Sequence, residues 1–224
     1  MHASLLSLIH QTVMAREANM DRAQLVQDAK AKIELNKFAD GQIILDKLLS
    51  RHTPFPTLFM RDADAEVGED KDDGQVRFLR AEAAFKVGND ALAIADFEEL
   101  RSAGTLTSED EKATVTRRLL EAYAFRGDLD KLDDILAAEG SQKTLPADQL
   151  ASWSEAVKHA RMQYDAVTKE TAKSKPNYQV VLEKMTGLLQ GPQRFGVKSP
   201  AWRELKASAN LKLGNEQEAF VDYE

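Results

Sequence analysis

Apolar and polar positions alternate along this chain with a helical period, and the pattern is written more than once. From Val76 the chain reads VRFLRAEAAFKVGNDALAIADFEEL, and from Trp202 it reads WRELKASANLKLGNEQEAFVDYE. Superposed without a gap, Arg77 falls on Arg203, Leu79 on Leu205, Ala81 on Ala207 and Ala83 on Ala209. Lys86 then falls on Lys212, Gly88 on Gly214, Asn89 on Asn215, Ala93 on Ala219 and Asp96 on Asp222. An internal repeat of this kind points to a stack of similar units rather than one continuous core.

Each copy predicts two amphipathic helices around a tight break. In the first copy Val76, Leu79, Ala83 and Phe85 lie near one helical face. Gly88 and Asn89 end that helix, because glycine takes positive φ at little cost. Leu92, Ala93, Phe97 and Leu100 form the inner side of the second helix. Small Ala81, Ala83, Ala84 and Ala93 allow the two helices to approach closely, which makes a helical hairpin. Looser copies break at Asn36, at Gly127 and over Lys175 to Asn177, where Pro176 stops helix propagation. Small Gly41 takes the place of the alanines in the earliest of these. Five helix pairs are expected in all.

Two connections differ from the rest. The stretch from His52 to Gly74 holds two prolines and turns acidic, and is expected to be largely loop. From Pro146 to Ser174 one long helix is expected, with Trp153, Val157, Ala160, Tyr164 and Val167 in step, starting at Pro146-Ala-Asp. It divides the expected array into residues 1–150 and 151–224. The opening MHASLLSLIHQTVMA reads as the start of a helix and not as a signal peptide.

Composition narrows the function classes. Of 224 residues, 43% are hydrophobic and 30% charged, as long amphipathic helices require. The formal charge of −7 disfavours nucleic acid and anionic membrane surfaces as partners. No apolar run reaches the roughly 18 residues of a membrane span. With no cysteine, disulfides, thiolate metal sites and cysteine nucleophiles are all excluded.

Catalytic and metal-binding patterns do not emerge. His2, His10, His52 and His159 lack metal-ligand spacing and read as solvated or satisfied residues. Asp62, Asp64 and Glu66 alternate as calcium ligands do, but Val67 stands where a calcium loop needs glycine. Gly187, Gly191 and Gly196 form no phosphate loop. No enzyme, cofactor or metal is expected.

The breaks, with a small residue and then an aromatic at fixed offsets after them, resemble the tetratricopeptide repeat (TPR). The spacing between breaks is longer and less regular than the roughly 34 residues of a standard array. The resemblance implies an all-α, right-handed superhelical array of antiparallel helix pairs. By analogy it places Phe78, Glu82, Phe85 and Lys86 on a concave surface, with Glu204, Ser208, Leu211 and Lys212 at the matching positions. Phe78 lies off its helix's apolar stripe, so it either plugs the neighbouring repeat or meets a ligand. Glu82 and Glu204 would repel a carboxylate at that surface. Phe85, Phe97, Tyr123, Phe125, Trp202, Phe220 and Tyr223 recur at helical spacing and are expected mostly in the inter-helix core.

A narrower resemblance rests on Leu79-Arg-Ala-Glu82, Lys86-Val-Gly88, Ala93-Ile-Ala-Asp96, Glu121-Ala-Tyr-Ala-Phe-Arg-Gly-Asp128 and Ala219-Phe-Val-Asp-Tyr-Glu224, in that order. These runs are similar to the middle repeats of the endoplasmic-reticulum TPR co-chaperones that end in a J domain, the inhibitors of an interferon-induced kinase. The resemblance implies a binding module for unfolded clients or partner peptides. It implies delivery to a BiP-type heat-shock chaperone through a J domain, whose His-Pro-Asp signature this sequence does not contain. It also implies an endoplasmic-reticulum lumen location. A cytoplasmic TPR scaffold of a secretion or trafficking complex is the alternative. On either reading the chain is expected to be a piece of a longer protein.

Overall fold

The computed structural model describes residues 22–50 and 71–223, and every regular element among them is a helix. The opening segment, the calcium-like run around Asp62, and His2, His10 and His52 lie outside the described residues. The chain forms two compact units that divide at Thr107 and Ser108.

The first unit contains α1 (Arg22–Glu34), α2 (Phe38–Ser50), α3 (Lys71–Val87) and α4 (Asp90–Ala103). Each helix packs on the one before it, and α1 also touches α3. Leu25 and Ala29 of α1, Ile44, Leu45 and Leu48 of α2 and Val76 of α3 form one buried cluster. Gly41 explains why the earliest pair is close: a Cβ there would stand 2.9 Å from Ile33 and 3.3 Å from the carbonyl of Ala29. On α4, Ala93, Ile94, Phe97 and Leu100 are buried, and Leu92, expected on the inner side, is only half-buried. Full burial of Phe97 contributes about 2–3 kcal/mol by transfer from water. The acidic connection ends earlier than expected, since Lys71 to Gly74 already belong to α3.

The second unit contains α5 (Glu109–Arg126), α6 (Leu129–Gln142), α7 (Ala147–Thr171), α8 (Tyr178–Gln190), α9 (Pro200–Leu213) and α10 (Glu216–Tyr223). Consecutive helices again pack on one another. The long helix appears as α7, with Val157, Ala160 and Val167 buried. The expected division at residue 150 falls inside this helix; the two compact units separate earlier in the chain, ahead of α5.

Four breaks share one hydrogen-bond pattern. The N–H of Gly88 donates to Phe85 O at 3.2 Å and that of Asn89 to Ala84 O at 2.9 Å. Gly127 and Asp128 repeat this on Ala124 and Tyr123, Gly214 and Asn215 on Leu211 and Asn210, and Asn36 and Lys37 on Ile33 and Lys32. This pair of bonds satisfies carbonyls that the helix end would leave open, and it requires a left-handed residue at the break. Gly88, Gly127 and Gly214 have φ of 80°, 72° and 82°, and Asn36 takes the role at 58°. Asn89 and Asp128 then cap the next helix by accepting from the N–H of Leu92 and Lys131. At the remaining break α7 stops at Thr171, and Asn177 caps α8 through the N–H groups of Gln179 and Val180.

Candidate functional site

Phe78, Glu82, Phe85 and Lys86 share one face of α3, since residues four, seven and eight apart are neighbours on a helix. Phe78, Glu82 and Phe85 are half-buried and Lys86 is exposed. Glu204, Ser208, Leu211 and Lys212 occupy the same register on α9, where Ser208 is half-buried and the others are exposed. The structure therefore groups each set along its own helix, one in each compact unit.

The expected aromatic core holds for Phe97, Tyr123 and Trp202, which are buried. Phe220 is a correction: it is 65% exposed, although its repeat partner Ile94 is 5% exposed. Periodicity alone located Phe220 correctly on α10 but did not supply a surface to cover it.

Trp202 is held by three neighbours. Its ring stacks on Tyr164 with centroids 4.6 Å apart. Gly127 and Gly196 lie so close to the ring that an added Cβ would stand 2.8 Å and 2.2 Å from it. The segment before α9 is tied to the end of α5, where Gly196 N–H donates to Ala124 O and Lys198 N–H to Phe125 O, both at 2.7 Å.

Charged residues to which the periodic reading gave no role pair between the helices. The guanidinium of Arg80 grips Asp96 with two bonds, Nε to Oδ2 at 2.7 Å and Nη2 to Oδ1 at 2.6 Å, and reaches Asp46 at 3.1 Å. Asp96 is buried. Burial works against the charge of Arg80, but bonding to Asp96 and the fields of Asp96 and Asp46 outweigh it and raise its pKa. The second copy repeats the pair: Lys206 Nζ donates to Asp222 Oδ1 at 2.5 Å, and Asn210 Nδ2 to Asp222 Oδ2 at 2.9 Å. The visible signal was the gapless superposition, which lays Asp96 on Asp222 and basic Arg80 on basic Lys206 without showing that the two positions meet.

Glu139 is a second such residue. Fully buried on α6, its carboxylate accepts from the N–H groups of Thr144 and Leu145 and from the hydroxyls of Thr144 and Thr116. It closes the turn into α7, and nothing in its sequence context distinguishes it from the solvated acids around it.

A cleft of about 430 Å³ lies between α7, α8 and the loop that follows. Lys184 and Gly187 line one wall, and Ala156, His159, Ala160 and Gln163 the other. Lys184 Nζ donates to Gln163 Oε1 at 2.8 Å, and Gln163 Nε2 meets His159 Nε2 at 3.3 Å. Among the described residues no group of three or more histidines and acids could hold a metal ion.

No protein-family model matches the sequence, and no curated protein is significantly similar to it. Among the described residues no helix is long and apolar enough to cross a membrane.

Proposed function

We propose that this chain is a non-enzymatic TPR-like binding module whose helix pairs continue into a right-handed superhelical array. The observation that carries the reading is the hairpin built twice: α3–α4 and α9–α10 share the same left-handed glycine break and the same acid-base pair between their helices. A unit reproduced down to its polar contacts is the economical way to extend a surface, and extended surfaces of this kind bind polypeptide. Fold does not by itself give function, so the particular role rests on the residue runs at Leu79–Glu82, Lys86–Gly88 and Ala93–Asp96. They favour a co-chaperone of the endoplasmic-reticulum lumen that holds unfolded clients and passes them to a BiP-type chaperone through a J domain. The second reading is a cytoplasmic scaffold for a secretion or trafficking complex that binds a partner peptide. It is favoured by the half-buried, rather than exposed, state of Phe78 and Phe85, which leaves less apolar surface for a client.

Light scattering separates the two. A chemically denatured model client is diluted with and without this chain. Suppressed aggregation that Phe78→Ser and Phe85→Ser weaken supports the co-chaperone reading and places the client on α3. Undiminished aggregation at a severalfold molar excess of the chain removes direct client holding and leaves the scaffold.

A further inference from the structure

We propose that the cleft between α7 and α8 binds the carboxylate of a single acidic side chain in an extended peptide, with Lys184 as the primary contact. The proposal rests on the reading of the chain as a polypeptide-binding scaffold and names one ligand class for one site on it.

Charge is the first argument. The chain carries 37 acids against 30 lysines and arginines, and several of its half-buried cations are paired with a carboxylate. Arg77, Arg80, Arg118 and Lys206 each have a carboxylate within hydrogen-bond distance. Lys184 is also half-buried, yet among the described residues its bond goes to the neutral amide of Gln163. An ammonium has three donors and no acceptor. Gln163 takes one of them, which leaves donors on a partly desolvated cation facing an open cleft. A charge in that position favours a carboxylate far more than it favours a neutral group.

Shape is the second argument. Ala156, Ala160 and Gly187 keep part of the walls low between polar His159, Gln163 and Gln193, and the volume is that of a ligand pocket rather than of a single ion. A Cβ added at Gly187 would meet nothing within 4 Å. Gly187 is exposed and lines the cleft, so its open side leaves room for a larger side chain at the cleft wall. Glu183 also lines the cleft and is exposed. Its charge opposes a second acid and opposes a doubly charged phosphate. The ligand that fits is one carboxylate flanked by small or apolar residues.

The test uses the whole chain and a short fluorescein-labelled peptide with a central glutamate between alanine and leucine residues. Its glutamine counterpart is the control, and fluorescence anisotropy at low ionic strength is the readout. The glutamate peptide is expected to bind at least about tenfold more tightly than the glutamine peptide, the size of one charge-assisted hydrogen bond. Lys184→Gln should remove that preference and Lys184→Arg should keep most of it. Gly187→Leu should abolish binding of both peptides by filling the cleft while unfolding shows the fold retained. Equal binding of the two peptides, or glutamate binding that survives both Lys184→Gln and Gly187→Leu, overturns the proposal. So does full displacement by inorganic phosphate at the peptide's own concentration, which would make the site a general anion site. The client assay fails or succeeds separately: client holding without glutamate preference sinks this site alone, and glutamate preference without client holding leaves the site standing and sinks the co-chaperone reading.

Discussion

Gly127 answers two demands that are separate elsewhere in the chain. Like Gly88 it ends a helix at positive φ, but Gly88 faces open space and Gly127 faces the ring of Trp202. Gly88→Ala is therefore expected to cost only the left-handed backbone term, about 1–2 kcal/mol. Gly127→Ala should cost that and roughly 1–3 kcal/mol more, because the indole must move from its place on Tyr164. Thermal unfolding of both variants checks the order; equal losses would mean the ring yields freely. The paired acids make a second contrast. Asp96→Ala leaves Arg80 half-buried with Asp46 as its remaining acid and should cost about 3 kcal/mol. Asp222→Ala removes an acid that is more accessible than Asp96 and sits on a short helix, and should cost about 1–2 kcal/mol. Urea unfolding of each variant measures the difference.

At the scale of elements, what matters is how each helix pair is joined. Four joints use the left-handed break, while the joint between α7 and α8 uses side chains instead. There Glu170 accepts from Lys173 and from the N–H of Asn177, the residue that caps α8. Those contacts, Lys173 first, lower the pKa of Glu170 below its ordinary 4.5. The folded state therefore holds this proton less readily than the unfolded state. The stabilisation is fully present above pH 4.5 and is lost as the pH falls through the lowered folded value. Glu170→Gln should accordingly lower the melting temperature at neutral pH, with the gap to the parent protein closing in acid. A gap that stays constant with pH would show that Glu170 acts by packing alone.

On the scale of the molecule, the chain is two compact units, and the second contains its own hydrophobic contacts, caps and cleft. A segment comprising residues 108–224 is expected to fold by itself, with strong helical circular dichroism and a cooperative melt. A broad, non-cooperative transition would show that the unit needs the preceding helices. The compact units divide at Thr107 and Ser108, and residue 150, where the linear pattern put its division, lies within α7. In space α7 packs on both α6 and α8 and joins them.

Local rules were legible in the sequence where the cause is local. The breaks at Asn36, Gly88, Gly127 and Gly214 follow from backbone sterics and from carbonyls that must be satisfied within a few residues. The long α7 and the stripe of Val157, Ala160 and Val167 follow from helical period alone. The choice of partner was not legible. Nothing adjacent to Asp96 names Arg80, nothing adjacent to Glu139 separates it from solvated acids, and nothing adjacent to Phe220 says that it stays exposed while Ile94 is covered. The face of α3 and of α9 could be assigned from spacing, but the cleft holding Lys184 could not, because it exists only where α7 and α8 come together. Sequence determined which residues turn, cap and face inward, since those properties are set by the backbone and by near neighbours. Tertiary structure decided which charges meet and which clefts stay open, since those depend on surfaces brought together from distant parts of the chain.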